Sequence, residues 1–173
     1  MQKLGEQSAS GTGRGLPLTK ELLREAFSMF PSGVTVLSAG AGGGAHGTTV
    51  SAFASLSMDP PMVMTALAKT STLLGHIRAA GRFGVNYLSV GQQGLAQALA
   101  ASEKDCAGLD WAELEGAPVL RDCSVVLSVR ADSIHDAGDH ELIWGEITGA
   151  AIGDRGLEPL VYHGRRFATL THI

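Results

Sequence analysis

Short β-rich segments separated by brief turns make up most of this sequence and restrict the folds open to it. The segments "GVTVLSAG", "PMVMTALA" and "RFGVNYLS" are rich in β-branched and aromatic residues, and turn residues bound them. Strands joined mostly by short connections favour an antiparallel sheet that forms a closed or split barrel. Because strands and helices do not alternate and no strand precedes G-x-G-x-x-G, the pattern argues against a Rossmann domain.

A few helices are predicted between the strands. The first follows Thr19, a suitable N-cap, and ends at Pro31. The second begins after Ser71 and ends at Gly81, and the third is "GQQGLAQALAAS", which Gly94 weakens. The first helix also carries one apolar stripe at helical spacing, formed by Leu22, Leu23, Ala26, Phe27 and Phe30.

The other segments complete a mainly β prediction with inserted helices. "AGGGAHG" is a flexible hairpin turn, and "GTTVSAFASLS" continues as a strand with a bend at Ala54–Ser55. Residues 103–120 resemble a loop with short turns. The strong strands "SVVLSVRADSI" and "HELIWGEITGAAIG" flank the turn "HDAGD", and "PLVYHGRRFATL" forms two short strands. We expect residues 1–15 to form a flexible tail and residues 16–173 to form one domain.

Composition limits the partners of the chain. It has 173 residues, 45% hydrophobic and 17% charged, with a formal net charge of −4 and no basic run. This balance argues against nucleic acid or an anionic membrane surface as the main partner. No apolar run is long enough to span a bilayer, and no signal peptide is evident. Cys106 and Cys123 are too few for a disulfide framework, so we expect reduced thiols and a cytoplasmic location.

Small hydroxyl residues are concentrated in a stretch that otherwise resembles buried strand. They are Thr48, Thr49, Ser51, Ser55 and Ser57. Buried hydroxyls cost free energy unless they are hydrogen-bonded, so a polar ligand along this strand is one explanation. The alternative is ordinary β-propensity, because threonine and serine alternate in many strands.

Three further groups of polar residues are candidates for binding. Lys69-Thr70-Ser71 places a cation before a helix start, which suits a phosphate or simply an ordinary N-cap. "HDAGDH", residues 135–140, reads as a turn, and it offers too few ligands for a predicted metal site. Arg165 and Arg166 suit a phosphate or carboxylate, or a solvated edge. Asn86, in an apolar strand, is more typical of a structural hydrogen-bonder.

Five motifs occur in an order that resembles the short-chain flavin reductase family. They are "FSMFPSGVTVLSA", "HGTTVSAFASLSMDPPMVMTAL", "RFGVNYLS", "GDHELIWGEI" and "PLVYHGRRF", and they extend from Phe27 to Leu170. The resemblance implies a split-barrel FMN-binding fold, an antiparallel six-stranded Greek-key-like barrel, and a homodimer. It implies reduction of FMN or FAD by NADH or NADPH, with reduced flavin supplied to a separate flavin-dependent monooxygenase.

The resemblance also implies roles for residues at matching positions. His140 of the G-D-H motif is expected where the nicotinamide stacks, as the catalytic position. Flavin contacts are expected along the hydroxyl-rich strand, at the following turn, at the phosphate end and beside the ring. These residues are Thr48, Thr49, Val50, Ser51, Ala52, Ser55, Asp59, Pro60, Ala66, Lys69, Ser71, Phe83 and Gly84.

Three other functions are compatible with parts of the pattern. The chain could be a non-catalytic flavin-binding protein, although the G-D-H motif argues against that reading. It could be a flavin-retaining oxygenase or oxidase that acts on an organic substrate. A metal-dependent enzyme would use His135, Asp136 and His140.

Overall fold

The computed structural model describes residues 17–40 and 44–171. The expected tail over residues 1–15 and the centre of the predicted glycine-rich turn lie outside these ranges. The helices are α1 (Lys20–Ser28), α2 (Thr72–Ala80) and α3 (Gln93–Ala100), and a 3-10 turn spans Val90–Gln92. The strands are β1 (Ser32–Gly33), β2 (Thr35–Ala39), β3 (His46–Val50), β4 (Phe53–Met58), β5 (Pro61–Ala68), β6 (Arg82–Tyr87), β7 (Trp111–Leu114), β8 (Ala117–Leu120), β9 (Val125–Ala137), β10 (His140–Ile152), β11 (Val161–His163) and β12 (Arg166–Ala168).

Seven strands form one antiparallel sheet in the order β3-β2-β6-β9-β10-β5-β4. Its two edge strands, β3 and β4, are consecutive in the chain and are separated only by Ser51 and Ala52. The three peptide steps from Val50 to Phe53 span at most about 11 Å, so the sheet curls until its edges almost meet. This is a split barrel. When β3 and β4 are counted as one bent strand, it has the six strands expected from the sequence.

The strand breaks at Ser51–Ala52, three residues before the predicted bend at Ala54–Ser55, and the pairing of β4 with β5 also shifts register between Ser55 and Ser57. The carbonyl of Ala52 accepts hydrogen bonds from the hydroxyl of Thr65 at 2.8 Å and the amide of Ala66 at 3.1 Å. These two bonds hold the bend against β5. Neither glycine nor proline marks the position, which is why the sequence contained no signal for it.

Two apolar cores lie on opposite faces of the sheet. Inside the barrel, α2 inserts Leu73, Leu74 and Ile77 among residues of β2, β5, β6, β9 and β10. Outside it, α3 packs on the other face of β2 and against β3. Alternation along β2 serves both cores, because Leu37 faces the first and Val36 the second. The helix α2 ends at Gly81 in the left-handed conformation, as predicted.

Asn86 connects three elements from a fully buried position on β6. Its amide nitrogen donates to the carbonyl of Val36 at 2.9 Å and to the hydroxyl of Ser38 at 3.0 Å. Its oxygen accepts from the amide of Leu120 at 2.6 Å. All polar groups of the side chain thus have partners, which confirms the structural role predicted for this residue.

Two connections are more ordered than the sequence predicted. Residues 111–120, expected to be loop, form the hairpin of β7 and β8. Its turn, Glu115–Gly116, has positive φ at both residues, and glutamate is a rare choice there, so the usual hairpin signal was missing. The segment "HDAGD" was also expected to be a turn, but β9 continues to Ala137 and leaves only Gly138 and Asp139 between the strands.

The helix α1 forms where predicted, but its apolar face is not buried. The hydroxyl of Thr19 accepts the amide of Leu22 at 3.1 Å and caps the helix. The stripe that the sequence predicted is largely in solvent: Phe27 is 73% exposed and Phe30 78%. The helix is instead fixed at its end, where the carbonyl of Ser28 accepts a backbone hydrogen bond. No helix in the described ranges is long and apolar enough to cross a membrane.

A pair of glycine-to-alanine substitutions tests the close packing behind β6. A Cβ at Gly84 would lie 2.2 Å from the Pro118 carbonyl oxygen and 2.5 Å from the Ser38 hydroxyl. We expect Gly84→Ala to reduce the free energy of unfolding by about 1–3 kcal/mol, since backbone must move. Gly94 on α3 has open space around it, so Gly94→Ala should stabilise by about 0.5–1 kcal/mol. Urea unfolding of both variants measures the two changes, and equal effects would contradict this packing.

Candidate functional site

A cavity of about 520 Å³ lies where β3, the barrel closure, β5, the start of α2 and the chain after α3 come together. This volume is typical of sites for nucleotide-sized ligands. Eight residues singled out from the sequence line it: Thr48, Thr49, Val50, Ser51, Ala52, Ala66, Ser71 and His140. The other lining residues are Leu67, Ala68, Thr70, Thr72, Ala100, Ala101, Ser102 and Lys104.

The barrel closure assembles this cavity from strands at opposite ends of the sheet order. The strand β3 reaches it directly, and the bend at Ser51–Ala52 is bonded to β5. His140, the first residue of β10, pairs with Ala68 at the end of β5. The helix α2 begins at Thr72, after three connecting residues, and His140 lines the cavity together with this helix start. The sequence could place these residues together only through the family resemblance, because they come from distant segments.

The hydroxyls of β3 serve the fold as well as the cavity. Thr49 donates to the carbonyl of Ala96 at 2.8 Å, and Thr48 donates to the carbonyl of Leu99 at 3.3 Å. Both acceptors belong to α3, which is thereby docked on β3. Part of the hydroxyl pattern therefore has a structural explanation that needs no ligand. Ser51 is different, because its exposed side chain lies at the bend and lines the cavity.

The start of α2 provides groups suited to an anion. Thr70, Ser71 and Thr72 all line the cavity. Ser71 occupies the N-cap position, but its hydroxyl makes no capping hydrogen bond, contrary to the capping role expected from the sequence. The first amides of a helix have no carbonyl partner within it, and the helix dipole favours negative charge there. The hydroxyl and these amides can together bind a phosphate.

Lys104 contributes a cation that was not among the residues predicted from the sequence. Its Nζ donates to the Thr48 hydroxyl at 2.5 Å, and its side chain lines the cavity. Loss of hydration lowers the pKa of Lys104 below its usual range, while the nearby thiol of Cys106 opposes the shift. Lys104 belongs to no sequence motif. Only its contact with Thr48 in the folded chain identifies it as a candidate binding residue.

Lys69, the cation predicted for the phosphate end, points to a different partner. Its Nζ lies 2.5 Å from a carboxylate oxygen of Asp136, and it does not line the cavity. The hydrogen bond from Lys69 is the main cause of the lowered pKa of Asp136. The backbone amide of Lys69 donates to the carbonyl of Asp139 at 3.0 Å. This hydrogen bond holds the β9–β10 turn against the end of β5.

His140 is supported by its neighbour Asp139 at the mouth of the cavity. Nδ1 of His140 lies 2.7 Å from Oδ1 of Asp139, and the His140 side chain is 46% exposed. The hydrogen bond and charge of His140 lower the pKa of Asp139. The other histidine of this hairpin, His135, bonds to Ser133 and packs on Trp144. In the described ranges, no three His, Cys, Asp or Glu residues are grouped so that they could hold a metal ion.

Besides Lys69, five of the predicted contacts lie away from this cavity. Phe83 is fully buried in the barrel core, and Gly84 faces the β8 carbonyl behind β6. Ser55 lines a separate cavity of about 350 Å³. Asp59 and Pro60 form the exposed turn between β4 and β5. Their roles toward a ligand remain predictions.

The lining chemistry fits a phosphorylated polyol such as the ribityl phosphate of FMN. It combines hydroxyls, a helix start and one lysine, and no carboxylate lines it among the described residues. The carboxylate of Asp139, next to the lining, is paired with His140, so Lys104 and the helix start are available to neutralise an anion. The carbonyls of Val50, Ser51 and Ala52 already accept hydrogen bonds, so this segment offers backbone amides to a heterocycle. The residues thus fit the cofactor that the sequence resemblance implies.

Comparison with known proteins gives consistent matches over most of the chain. Residues 27–171 match the family described as "Flavin reductase like domain". The reductase component of 4-hydroxyphenylacetate 3-monooxygenase from Thermus thermophilus is 34% identical over 87% of this chain and 97% of its own. The FMN reductase (NADH) SmoA from Agrobacterium fabrum is 37% identical over 83% and 82% of the two chains.

Solved structures agree in fold. The flavin reductase PheA2 superposes with a TM-score of 0.83 at 30% identity, covering 90% of this chain and all of its own (100%). The NADH:FAD oxidoreductase SgcE6 from Streptomyces globisporus, in complex with NAD and FAD fragments, gives 0.81 at 30% identity over 88% and 93% of the chains. The split barrel predicted from the sequence is therefore confirmed, and the chain belongs to the flavin reductase-like domain family.

Proposed function

We propose that this chain is an NAD(P)H:flavin oxidoreductase that reduces FMN or FAD and supplies reduced flavin to a separate monooxygenase. The observation that carries this function is one cavity in which an anion-binding helix start, Lys104 and His140 meet a hydroxyl-bearing strand. Its relatives support the reaction class, since their names include an FMN reductase using NADH and a monooxygenase reductase component.

Each part of the cavity has a role in binding and orientation. Ser71, the first amides of α2 and Lys104 would hold the flavin phosphate, and the backbone of Val50–Ala52 would line the ring system. His140 would position the nicotinamide, with Asp139 fixing the orientation of the imidazole. A bound flavin supplies the ring that accepts the hydride. The protein's own task is alignment of two reactants, so we expect no residue whose loss abolishes turnover.

The remaining predicted contacts are part of the proposal. Lys69 would act at the phosphate end by keeping the β9–β10 turn against β5 through its pair with Asp136. The other positions outside the lining would shape the ring pocket from behind: Ser55, Asp59, Pro60, Phe83 and Gly84.

The assembly and location are proposals of the same kind. We infer a homodimer, because the sheet edge β4 carries exposed Leu56 and Met58, the latter 89% exposed. Sedimentation equilibrium tests the homodimer, and a monomer at micromolar concentration would overturn it.

We infer a cytoplasmic location, because Cys106 and Cys123 are both unpaired and buried.

Loss of absorbance at 340 nm tests the proposed function directly. Purified protein with NADH or NADPH and added FMN, FAD or riboflavin should oxidise the donor only when flavin is present. Coupling to a flavin-dependent monooxygenase should then raise substrate hydroxylation with the amount of reductase. If no donor and flavin pair reacts, the chain is not a reductase. A tightly bound yellow flavin with little activity toward added flavin would instead favour a flavin-retaining oxygenase or oxidase.

Lys104→Gln should weaken FMN binding about tenfold and leave riboflavin, which lacks the phosphate, almost unchanged. Equilibrium dialysis of both ligands measures the difference, and Arg121→Gln is the control at an ion-paired cation that does not line the cavity. Because the pKa of Lys104 is lowered, its charge is lost at a lower pH than that of an ordinary lysine. FMN affinity should therefore decline as pH rises through that lowered pKa, whereas Lys104→Arg should retain it. Equal losses for FMN and riboflavin would contradict the phosphate assignment.

His140→Asn should lower kcat/KM for NADH about threefold to thirtyfold by misplacing the nicotinamide, with unchanged FMN affinity. The control is His135→Asn, a histidine on the same hairpin that does not line the cavity. Steady-state kinetics with saturating FMN separate the two variants. If both behave like the parent protein, His140 does not position the donor.

A further inference from the structure

Two histidine rings stack on each other between β3 and α2. The ring centroids of His46 and His76 are 3.9 Å apart, and the ring planes are inclined by only 16°. His46 is the first residue of β3, and His76 lies in the middle of α2. Neither side chain lines the cavity of about 520 Å³, and the proposed function assigns them no role. The stack therefore joins two walls of the cavity from outside its lining.

The stack lies on the same faces of β3 and α2 as the anion-binding end of the cavity. Residues two apart on a strand share a face, so His46 and Thr48 project to the same side of β3. Their partner residues on β2 both belong to the barrel core that α2 enters. Residues four apart are neighbours on a helix surface, so His76 follows Thr72 along α2. Because Thr48 and Thr72 both line the cavity, the stack fixes the separation of these two walls just beyond the lining.

The stacked rings are the specific link between β3 and α2. The side-chain and amide groups of β3 bond to α3 and to the chain after it: Gly47 with Cys106, Thr48 with Leu99 and Lys104, and Thr49 with Ala96. Within the described ranges, no side-chain hydrogen bond joins β3 to α2. The start of α2 also lacks a side-chain cap. Its position against β3 therefore depends on apolar packing and on the two rings.

The charge of the two rings makes this link sensitive to pH. Neutral imidazoles can stack and the pair can carry one proton, but two protonated rings at this separation repel each other. Partial loss of hydration and the charge of His76 lower the pKa of His46. In the unfolded chain His46 titrates near the ordinary histidine pKa of about 6.5. The contribution of the stack to stability is therefore fully present above about pH 6.5 and is lost as pH falls toward the lowered pKa.

The elements that pack on β3 provide few charges to the stack. The strand β2 and the helix α3 carry no titratable side chain. The chain after α3 brings four titratable residues, of which Lys104 and Cys106 bond to β3. Asp105 accepts an amide of its own turn, and Glu103 is exposed. These groups therefore already have partners or lie in solvent.

The titratable groups around α2 are also engaged elsewhere. Arg78 of α2 pairs with Glu141 of β10 at 2.5 Å. The strand β6 contributes Arg82, which donates to a carbonyl of the β7–β8 turn, and Tyr87, which packs on an aromatic ring of β4. In the part of the chain that the structure describes, no ion pair includes either stacked histidine. A second proton on the stack is therefore not offset by a paired carboxylate.

We propose that His46 and His76 are positioning residues that hold the start of α2 against β3 at neutral pH and loosen it on acidification. The two rings touch no ligand and act through Thr48 and Thr72, so the anion-binding end of the cavity is best formed above about pH 6.5. Flavin phosphate as the ligand of that end rests on the proposed function, whereas the pH-dependent contact between β3 and α2 does not. Flavin affinity should then weaken in mild acid.

Titration and unfolding test the contact without any ligand. Proton NMR of the full chain should give His46 a lowered pKa, and His76→Phe, which keeps a ring but removes its charge, should raise it. His163→Gln, at an exposed histidine on β11, is the control and should leave it unchanged. From about pH 7.5 to about pH 5.5, the urea midpoint should decline about 0.5 M more in the parent protein than in His76→Phe. An ordinary pKa for His46, or equal declines, would overturn the proposal.

FMN binding tests the consequence for the cavity. Over the same pH interval, Kd for FMN should rise about threefold to tenfold more in the parent protein than in His76→Phe. Protonation of the FMN phosphate and of His140 occurs in both proteins, so the difference isolates the stack. His46→Gln should lose the same pH dependence, and His163→Gln should follow the parent protein. Parallel pH profiles for all four proteins would overturn the proposal. If FMN binds to none of them, the proposed function fails, and the titration and unfolding results decide whether the stack positions α2.

Discussion

The closure of the sheet at Ser51–Ala52 is the constraint on which the rest of this structure depends. Two residues connect strands from opposite edges of a seven-stranded sheet, so the sheet must curl into a barrel. The Ala52 carbonyl then accepts two hydrogen bonds from β5, which makes the closure a bonded joint. The same joint brings β3 next to the start of α2 and leaves Ser51 facing the cavity. The closure at Ser51–Ala52 therefore determines both the curvature of the sheet and the position of the residues that line the site.

The hydrogen bonds of β3 show how closely the packing of the fold and the lining of the cavity are coupled. Thr48 and Thr49 hold α3 in place, and the Thr48 hydroxyl also accepts from Lys104. Removing the Thr48 hydroxyl would thus release a helix carbonyl and a cavity cation at the same time. A loss of ligand affinity in such a variant would not identify a direct contact. Substitutions at Lys104 are more informative, because they leave the hydrogen bonds from Thr48 and Thr49 to α3 in place.

Local sequence patterns predicted the helices and most strands. They did not predict contacts between residues that are distant in the sequence. Thr19 and Gly81 bound helices as expected, because a cap and a left-handed glycine act within one turn. The hairpin at Glu115–Gly116 was missed because its turn residue is atypical. The bend at Ser51–Ala52 has no glycine or proline, and its cause is a pairing with β5. Lys104 likewise becomes a site residue only through Thr48, more than fifty positions earlier.

The distribution of charge explains how an acidic chain can accept anionic ligands. The net charge of −4 disfavours long-range attraction of polyanions such as nucleic acids. In the proposed site, selectivity for a small anion then depends on groups that act over a few ångströms, which are Lys104 and the start of α2. In the proposed site, the placement of Lys104 at the helix start, and not the total charge, therefore determines which anions can bind.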